Sequence, residues 1–524
     1  MKTKFLIILL FFVAINQVIC NSKFSNSKAR SKDSCCRFTK KYTPSLLQTS
    51  KEALLNFFDD FKEQELKFVF GEGISHAKSG ITYDGINLNA ITGEIEKSSL
   101  HFWSAASKEC LHISILIQLL QEGSELYPKK EIITIMERKI ASYEEFNQKY
   151  PGYGGHLPWV YVNDSGMIPA NGWWDRTPSL DNGEMFWSMY AATEVLSNIG
   201  ELDLADRYSN WINLMAKSSK MMFWNGTVSK IRTLVKIRDI YSPPSANNQY
   251  SQFPCTAPPC FLDDPYEGEL YAWILQLMSN QLSSNEIEQM WANKRKKLQL
   301  TQYQSSQYGP VSAIKGWWYS AHEKWKCLLM PYLDNALFKR IFITGEKARM
   351  VNSAELKICG MFASSNRINC SGYVSATGIQ QLSFETVSDN IQVTPYSTFP
   401  SFLLKDLKYT NYSATWLYAM LSGYKMQSQY GSVEAIDLKG QNIANTLTWD
   451  AKITTLVALN GGIYGIVSEK MAKDGIYQAF IKRIQLEYSR ILGDKGQNIV
   501  GENIPFSYPK SFFTNTDSFP SCDC

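Results

Sequence analysis

The sequence predicts an all-α protein, a single toroid in which a double ring of helices surrounds a common cavity, with a few short strands. Three observations lead to it. Apolar residues recur at three- and four-residue spacing through about ten to twelve segments. No Pro/Gly/Ser-rich linker divides the 524 residues, so one domain accounts for them. No motif recurs at a fixed period, which sets the chain apart from a solenoid.

The elements follow in order. Residues 1–20 read as a signal peptide: Lys2 and Lys4 precede an apolar run at 5–14, and Val18 to Cys20 offer a cleavage site. Residues 21–45 are Ser- and Lys-rich and read as a mobile arm before the toroid domain at 46–524. The periodic segments are then 51–66, 104–120, 131–150, 182–199 and 202–223, followed by 267–281, 321–342, 414–429, 449–459 and 473–492. Strand-like alternation is confined to short pieces at 80–91 and 227–240. Several connections exceed roughly ten residues, and long connections are where binding and catalytic side chains usually sit.

Composition narrows the function. Hydrophobic content of 44% and charge of 19% are those of a globular protein. A net charge of +4, with Lys and Arg scattered apart from the run at 294–297, gives no support to nucleic-acid binding. No later segment approaches a membrane span, and the polar tail excludes a glycolipid anchor, so the mature chain is expected to be exported and free of the membrane. Of 11 Cys, ten remain after the signal, an even count that favours disulfides in an oxidising compartment. Cys255 and Cys260 could close a small loop, Cys35 or Cys36 tie down the arm, and Cys522 or Cys524 the tail. With no Cys-x-x-Cys and five His, a metal site is not expected. Sequons at Asn163, Asn225, Asn369 and Asn411 fit a secreted glycoprotein.

The unusual quantity is aromatic content, 13% with 14 Trp and 28 Tyr. It concentrates at residues 172–187 (GWWDRTPSLDNGEMFW), 262–273 (LDDPYEGELYAW) and 316–325 (GWWYSAHEKW). In each, a capping residue precedes a Glu by three: Asp181 and Glu184, Asp264 and Glu267, Ser320 and Glu323. That spacing is a capping box, which satisfies free donors at a helix start. Capping alone explains the spacing but not the aromatic surround, whose flat faces and polar tips suit sugars. Glycosidic cleavage needs two carboxyl groups, one holding a proton near neutrality. Asp263, Asp264, Glu267 and Glu269 crowd together beside Tyr266, where burial and repulsion could supply that proton. Asp450 lies in an apolar and neutral stretch at 447–456, where it must be paired, capped or functional. His322 could bond a sugar hydroxyl or serve structure, and Trp173, Trp174, Trp317 and Trp318 could stack on sugars or fill the core. No Gly-x-Ser-x-Gly elbow and no phosphate-binding loop occurs.

Residues 263–270 (DDPYEGEL), 315–325 (KGWWYSAHEKW) and 371–378 (SGYVSATG) together resemble the eukaryotic endo-β-1,2-glucanases of glycoside hydrolase family 162, related in fold to bacterial family 144. Residues 394–400 (TPYSTFP) and 461–465 (GGIYG) also look like segments of that group, and the resemblance spans about residues 50 to 510. It implies a single (α/α)6 toroid and inverting, internal hydrolysis of linear β-1,2-glucan to sophorooligosaccharides. It also implies an acid acting through a sugar hydroxyl, a base acting through a second water, and no cofactor or metal. By position the acid is Glu267, with Glu269 kept open, and the base Asp450. Such a relay would leave the carboxyls farther apart than the roughly 6.5–9.5 Å of ordinary inverting enzymes. Trp173, Trp174, Asp181, Glu184, Tyr266, Trp317, Trp318, His322 and Tyr373 are the expected substrate-binding residues. A monomer is expected, secreted or held in an endomembrane lumen, with a glucan as its partner. Alternatives are a hydrolase or transglycosylase for another β-glucan, or a non-catalytic glycan-binding glycoprotein.

Overall fold

In a computed structural model of the chain, the described residues are 36–71, 73–123, 127–245, 249–254, 260–370, 372–387 and 391–522. The predicted signal peptide and Cys255 lie outside them. Cys36–Cys524 form one compact unit.

The described residues hold fifteen α-helices. In chain order they are α1 (Pro44–Thr49), α2 (Lys51–Val69), α3 (Ala106–Glu122), α4 (Lys129–Lys149) and α5 (Ser179–Asn198). Next come α6 (Leu202–Phe223), α7 (Glu269–Trp273), α8 (Ser284–Arg295), α9 (Trp325–Leu329) and α10 (Ala336–Glu355). The last are α11 (Phe399–Phe402), α12 (Leu407–Leu421), α13 (Trp449–Leu459), α14 (Tyr464–Lys473) and α15 (Tyr477–Leu492). Helices α3, α5, α7, α9, α11 and α13 form the inner ring. Each is buried almost all round, as a helix enclosed on every side must be. Packing of α3 on α5, α5 on α7, α9 on α11, α11 on α13 and α13 back on α3 carries the ring around. The remaining step, α7 to α9, is closed by Lys326 Nζ on Glu269 Oε2 at 2.8 Å. Helices α2, α4, α6, α8, α10 and α12 alternate with these along the chain as the outer layer, giving the (α/α)6 fold.

Several elements depart from the periodicity, each for a local reason. The segment expected at 267–281 is five residues of α7 followed by a π turn, Ile274–Met278. The one expected at 321–342 breaks before α10, where Pro331 cannot continue a helix. The one at 473–492 breaks at Gly475, whose φ of 75° ends α14. Residues 36–45, expected in a mobile arm, are packed: Cys36, Phe38 and Thr39 are buried, and Cys36 is bonded to Cys522. Cys110, Cys327, Cys359 and Cys370 are free thiols, so disulfides do not account for all the cysteines. Cys110 and Cys327 sit inside the inner ring as small apolar side chains.

Two strand pairings position functional residues. Gly85–Asn87 pairs antiparallel with Thr446–Thr448, which sets Asp84 against the start of α13. A Cβ on Gly85 would lie 2.4 Å from Leu447 O, so only glycine permits that approach. Trp103–Ser104 pairs with Val160–Asn163, bringing Trp103 beside Trp159. The predicted strand region at 227–240 contributes Leu234–Ile237, paired with Arg176–Pro178.

Candidate active site

The turn before α7 is held by Asp264, whose Oδ2 accepts from the backbone N–H of Tyr266 at 3.1 Å and of Gly268 at 2.9 Å. Glu267 is therefore not needed as a cap, and its Oε2 is buried without a hydrogen-bond partner. Burial pushes its carboxyl well above the ordinary range, and the negative charges of Asp264, Glu323, Asp181 and Asp450 add to the shift. Glu184 is raised in the same way, by burial first and then by Glu267, Asp181 and Asp450. Gly183 allows that stretch of α5 to run close against Leu270 and Tyr271. His322 Nε2 stands 3.7 Å from Glu267 Oε1, while its Nδ1 is 2.8 Å from the Tyr396 hydroxyl. Burial lowers the imidazole to about 4, so at neutral pH it offers Glu267 no positive charge.

Glu269, two residues on, has a different fate. It is 2% exposed, and its Oε2 accepts from Lys326 at 2.8 Å and from the Tyr332 hydroxyl at 2.5 Å. It is the ion pair that closes the ring. Tyr266 is likewise structural: 4% exposed, its hydroxyl donates to Ile314 O at 2.5 Å, and Lys324 covers its ring at 4.0 Å. The structure places it in the core instead of on a substrate-facing wall.

Asp450 stands in the first turn of α13. Thr448 caps that helix by accepting from Ala451 N at 3.3 Å, and donates its own proton to Glu434 at 2.7 Å. Asp450 Oδ2 accepts from Lys108 Nζ at 2.6 Å, and Oδ1 is buried without a partner. Lys108 also lies 3.5 Å from Asp84, which in turn meets His101 Nδ1 at 2.9 Å. Burial works against the Lys108 charge, but Asp450 and Asp84 outweigh it and hold the ammonium above its usual range. One acid is thus surrounded by carboxyls and the other is paired to a cation.

Beside Lys108 begins an aromatic stack. Trp103 lies 6.0 Å from Lys108 Nζ and stacks on Trp159 at 4.8 Å and 4°, which stacks on Trp173 at 5.0 Å and 15°. All three indoles are partly exposed. Trp159 Nε1 donates to Asp181 at 3.1 Å, linking the stack to the acidic cluster.

Of the sequence-predicted residues, Glu267, Asp181, Glu184, Asp450 and His322 come together here, with the charges of Asp181, Glu267 and Asp450 acting on their neighbours in the group. Tyr373 is 48% exposed and close enough to Asp450 and Lys108 to feel both charges. Trp173 joins the stack, whereas Trp174 turns outward. Trp317 packs on Phe384 at 5.8 Å beneath Lys297, and Trp318 is partly exposed with its carbonyl bonded to Ile379 N–H. None of the three capping boxes forms whole. Asp181 lies inside α5, which starts at Ser179; Glu267 does not reach back; Glu323 accepts from Ser320 N at 2.8 Å, but the Ser320 hydroxyl has no partner. The complete box is Ser283 with Glu286 at α8. Lys108, Asp84, Trp103, Trp159 and Tyr396 were not identified from sequence. Among the described residues no His, Cys, Asp or Glu group is arranged to hold a metal ion.

A family model described as Endo-beta-1,2-glucanase SGL, of glycoside hydrolase family 162, matches residues 81–523. The solved structure of an endo-beta-1,2-glucanase from Talaromyces funiculosus with sophorose is similar to this chain at 33% identity and TM-score 0.85, covering 94% of this chain and 100% of the other. A mutant of that enzyme solved with beta-1,2-glucan matches with the same values, 33%, 0.85, 94% and 100%. An endo-beta-1,2-glucanase from Chitinophaga pinensis, with sophorotriose and glucose, is 12% identical at TM-score 0.55, over 82% of this chain and 97% of that one, a likeness of fold. No curated protein matches the chain.

Proposed function

This chain belongs to the endo-beta-1,2-glucanase family, and from that premise we propose that it cleaves linear β-1,2-glucan internally with inversion. Glu267 is the acid, protonating the leaving oxygen through a hydroxyl of the bound sugar, and Asp450 is the base, activating water through a second water. The observation that carries this is the contrast between two unpartnered carboxylate oxygens. Glu267 keeps its proton because burial and neighbouring carboxyls oppose its charge. Asp450 is ion-paired with Lys108 Nζ at 2.6 Å and so faces a cation where Glu267 faces carboxyls. His322 and Tyr396 orient Glu267, while Asp181, Glu184, Tyr373 and the Trp103–Trp159–Trp173 stack contact the sugar chain. The indoles bury apolar sugar faces, and the carboxyls and phenol meet hydroxyls.

Export to an oxidising compartment belongs to the same proposal. The Cys36–Cys522 disulfide supports it, as do exposed sequons at Asn163 and Asn369. The Asn411 amide is engaged by the Tyr508 hydroxyl at 2.8 Å and is the poorer acceptor of a glycan. No described helix is long and apolar enough to cross a membrane.

The test is incubation with β-1,2-, β-1,3-, β-1,4- and β-1,6-glucans, followed by product sizing and NMR of the first anomers formed. Short sophorooligosaccharides of inverted configuration are expected from the β-1,2 polymer alone. Intact β-1,2-glucan after prolonged incubation would overturn the function, and retained configuration would overturn the mechanism.

A further inference from the structure

Outside the cleft, three aromatic side chains meet at the junction of α4 with the loop around residue 240. Trp174 is 42% exposed and Tyr241 is 65% exposed. Between them sits Tyr150, buried, with its ring 5.9 Å from Trp174 at 89° and 5.9 Å from Tyr241 at 49°. The backbone beneath is fixed at several points. Tyr153 donates its hydroxyl to the carbonyls of Trp173 at 2.9 Å and Trp174 at 3.0 Å. Gly152 N bonds Ile240 O at 2.9 Å, and Tyr250 donates to Gly152 O at 2.7 Å. The Tyr241 N–H is held by Asp239 at 2.9 Å. The exposed faces of Trp174 and Tyr241 thus form a small aromatic patch held on a fixed backbone, a surface that can receive a partner.

Its position identifies the occupant. Trp173 and Trp174 are consecutive. One turns into the Trp103–Trp159–Trp173 stack that starts beside Lys108 and Asp450; the other turns out to Tyr150 and Tyr241. The inner stack and the outer group thus adjoin along the chain at residues 173 and 174, whose carbonyls the Tyr153 hydroxyl ties together. Asp239, exposed, and Asp175, partly exposed, flank it with carboxylates that also accept from Tyr241 N–H and Ser242 and from Arg176. Flat rings edged by carboxylates suit a chain of pyranose units, whose axial C–H faces stack and whose hydroxyls donate.

We propose that Trp174 and Tyr241, braced by Tyr150, form an outer platform that binds sugar units of the same glucan chain beyond those held at the reacting centre. This rests on the functional reading above. The platform makes the protein favour long polymer over short oligosaccharides, because only a chain extending out of the cleft reaches it.

The experiment compares kcat/KM on long β-1,2-glucan with kcat/KM on the shortest sophorooligosaccharide that is cleaved, for the unaltered protein, Trp174→Ala and Tyr241→Ala. The ratio of polymer to oligosaccharide values should fall about two- to tenfold in each variant, and Trp174→Phe should recover most of it. Thermal melts identify any variant that has lost structure, and the second site keeps the test open should one do so. A ratio at the unaltered value in both variants overturns the platform. So does a change confined to oligomeric state in sedimentation, which would assign the aromatic patch to self-association. No cleavage of β-1,2-glucan by the unaltered protein overturns the functional reading, and the platform with it.

Discussion

Glu267 and Asp450 stand at two helix starts that are built alike and charged oppositely. Each start is secured by a neighbour's side chain, Asp264 in one case and Thr448 in the other, so that neither carboxyl is spent on capping. Each keeps one buried oxygen without a partner. Around Glu267 the strongest charges are those of Asp264, Glu323, Asp181 and Asp450, all negative. Against Asp450 lies Lys108, itself anchored by Asp84. On the proposed assignment, the same backbone device presents one carboxyl to give a proton and another to take one. The roles follow from what surrounds each group, not from the groups.

The sharpest way to break this contrast is to neutralise each carboxyl. Glu267→Gln and Asp450→Asn should each lower kcat about 100- to 10,000-fold, with far-ultraviolet circular dichroism unchanged. Near-normal turnover in either variant would remove that residue from its role. Glu269→Gln should behave differently, since it leaves Lys326 buried and unpaired at the α7–α9 step of the ring. Loss of about 3–5 kcal/mol of stability is expected, read as a large drop in melting temperature. If Glu269→Gln instead abolished turnover with an unaltered melt while Glu267→Gln stayed active, the acid would be the wrong member of the pair. Lys108→Met removes the cation from the proposed base and leaves Asp450 uncompensated, with Asp84 held by His101 alone. A cost of about 3 kcal/mol or more is expected, together with reduced kcat, and an unaffected melt would show that the pair carries little.

The smallest effect is in pH dependence. As the proposed acid, Glu267 must hold its proton to act, and its raised affinity keeps the proton on to higher pH than an ordinary glutamic acid would. Activity should fall as pH rises through that elevated value, giving the alkaline limb of kcat/KM. Asp181 adds negative charge against Glu267, so Asp181→Asn should move the limb to lower pH. A limb that moves up, or does not move, would mean the two carboxyls do not titrate together.

Periodicity was a good guide wherever one face of a helix packs and the other meets solvent. Residues 202–223 were legible end to end in this way as α6, whereas 449–459 was legible as α13 although that inner helix is buried almost all round. The periodicity failed at the π turn after α7, and it ran through the break before α10 that Pro331, a local signal, imposes. The acidic aromatic segments pointed to the right region for a reason that was only partly correct. Their Glu spacing suggested capping, yet the whole box lies at Ser283 and Glu286, in a helix the periodicity passed over. Lys108 reads as an ordinary helix residue, because the carboxylates that define it are distant in sequence. Trp103 and Trp159 stand apart from acidic runs and meet only through a strand pairing.

Cys36 and Cys522 are 486 residues apart in sequence and bonded to one another. The polypeptide between them is a covalent circle. A protease cutting one surface loop would linearise that circle without releasing a fragment, and the nicked halves would stay tethered until a reductant was added. For the same reason new termini could be opened at an exposed connection and the old ones fused, provided the inner helices keep their neighbours.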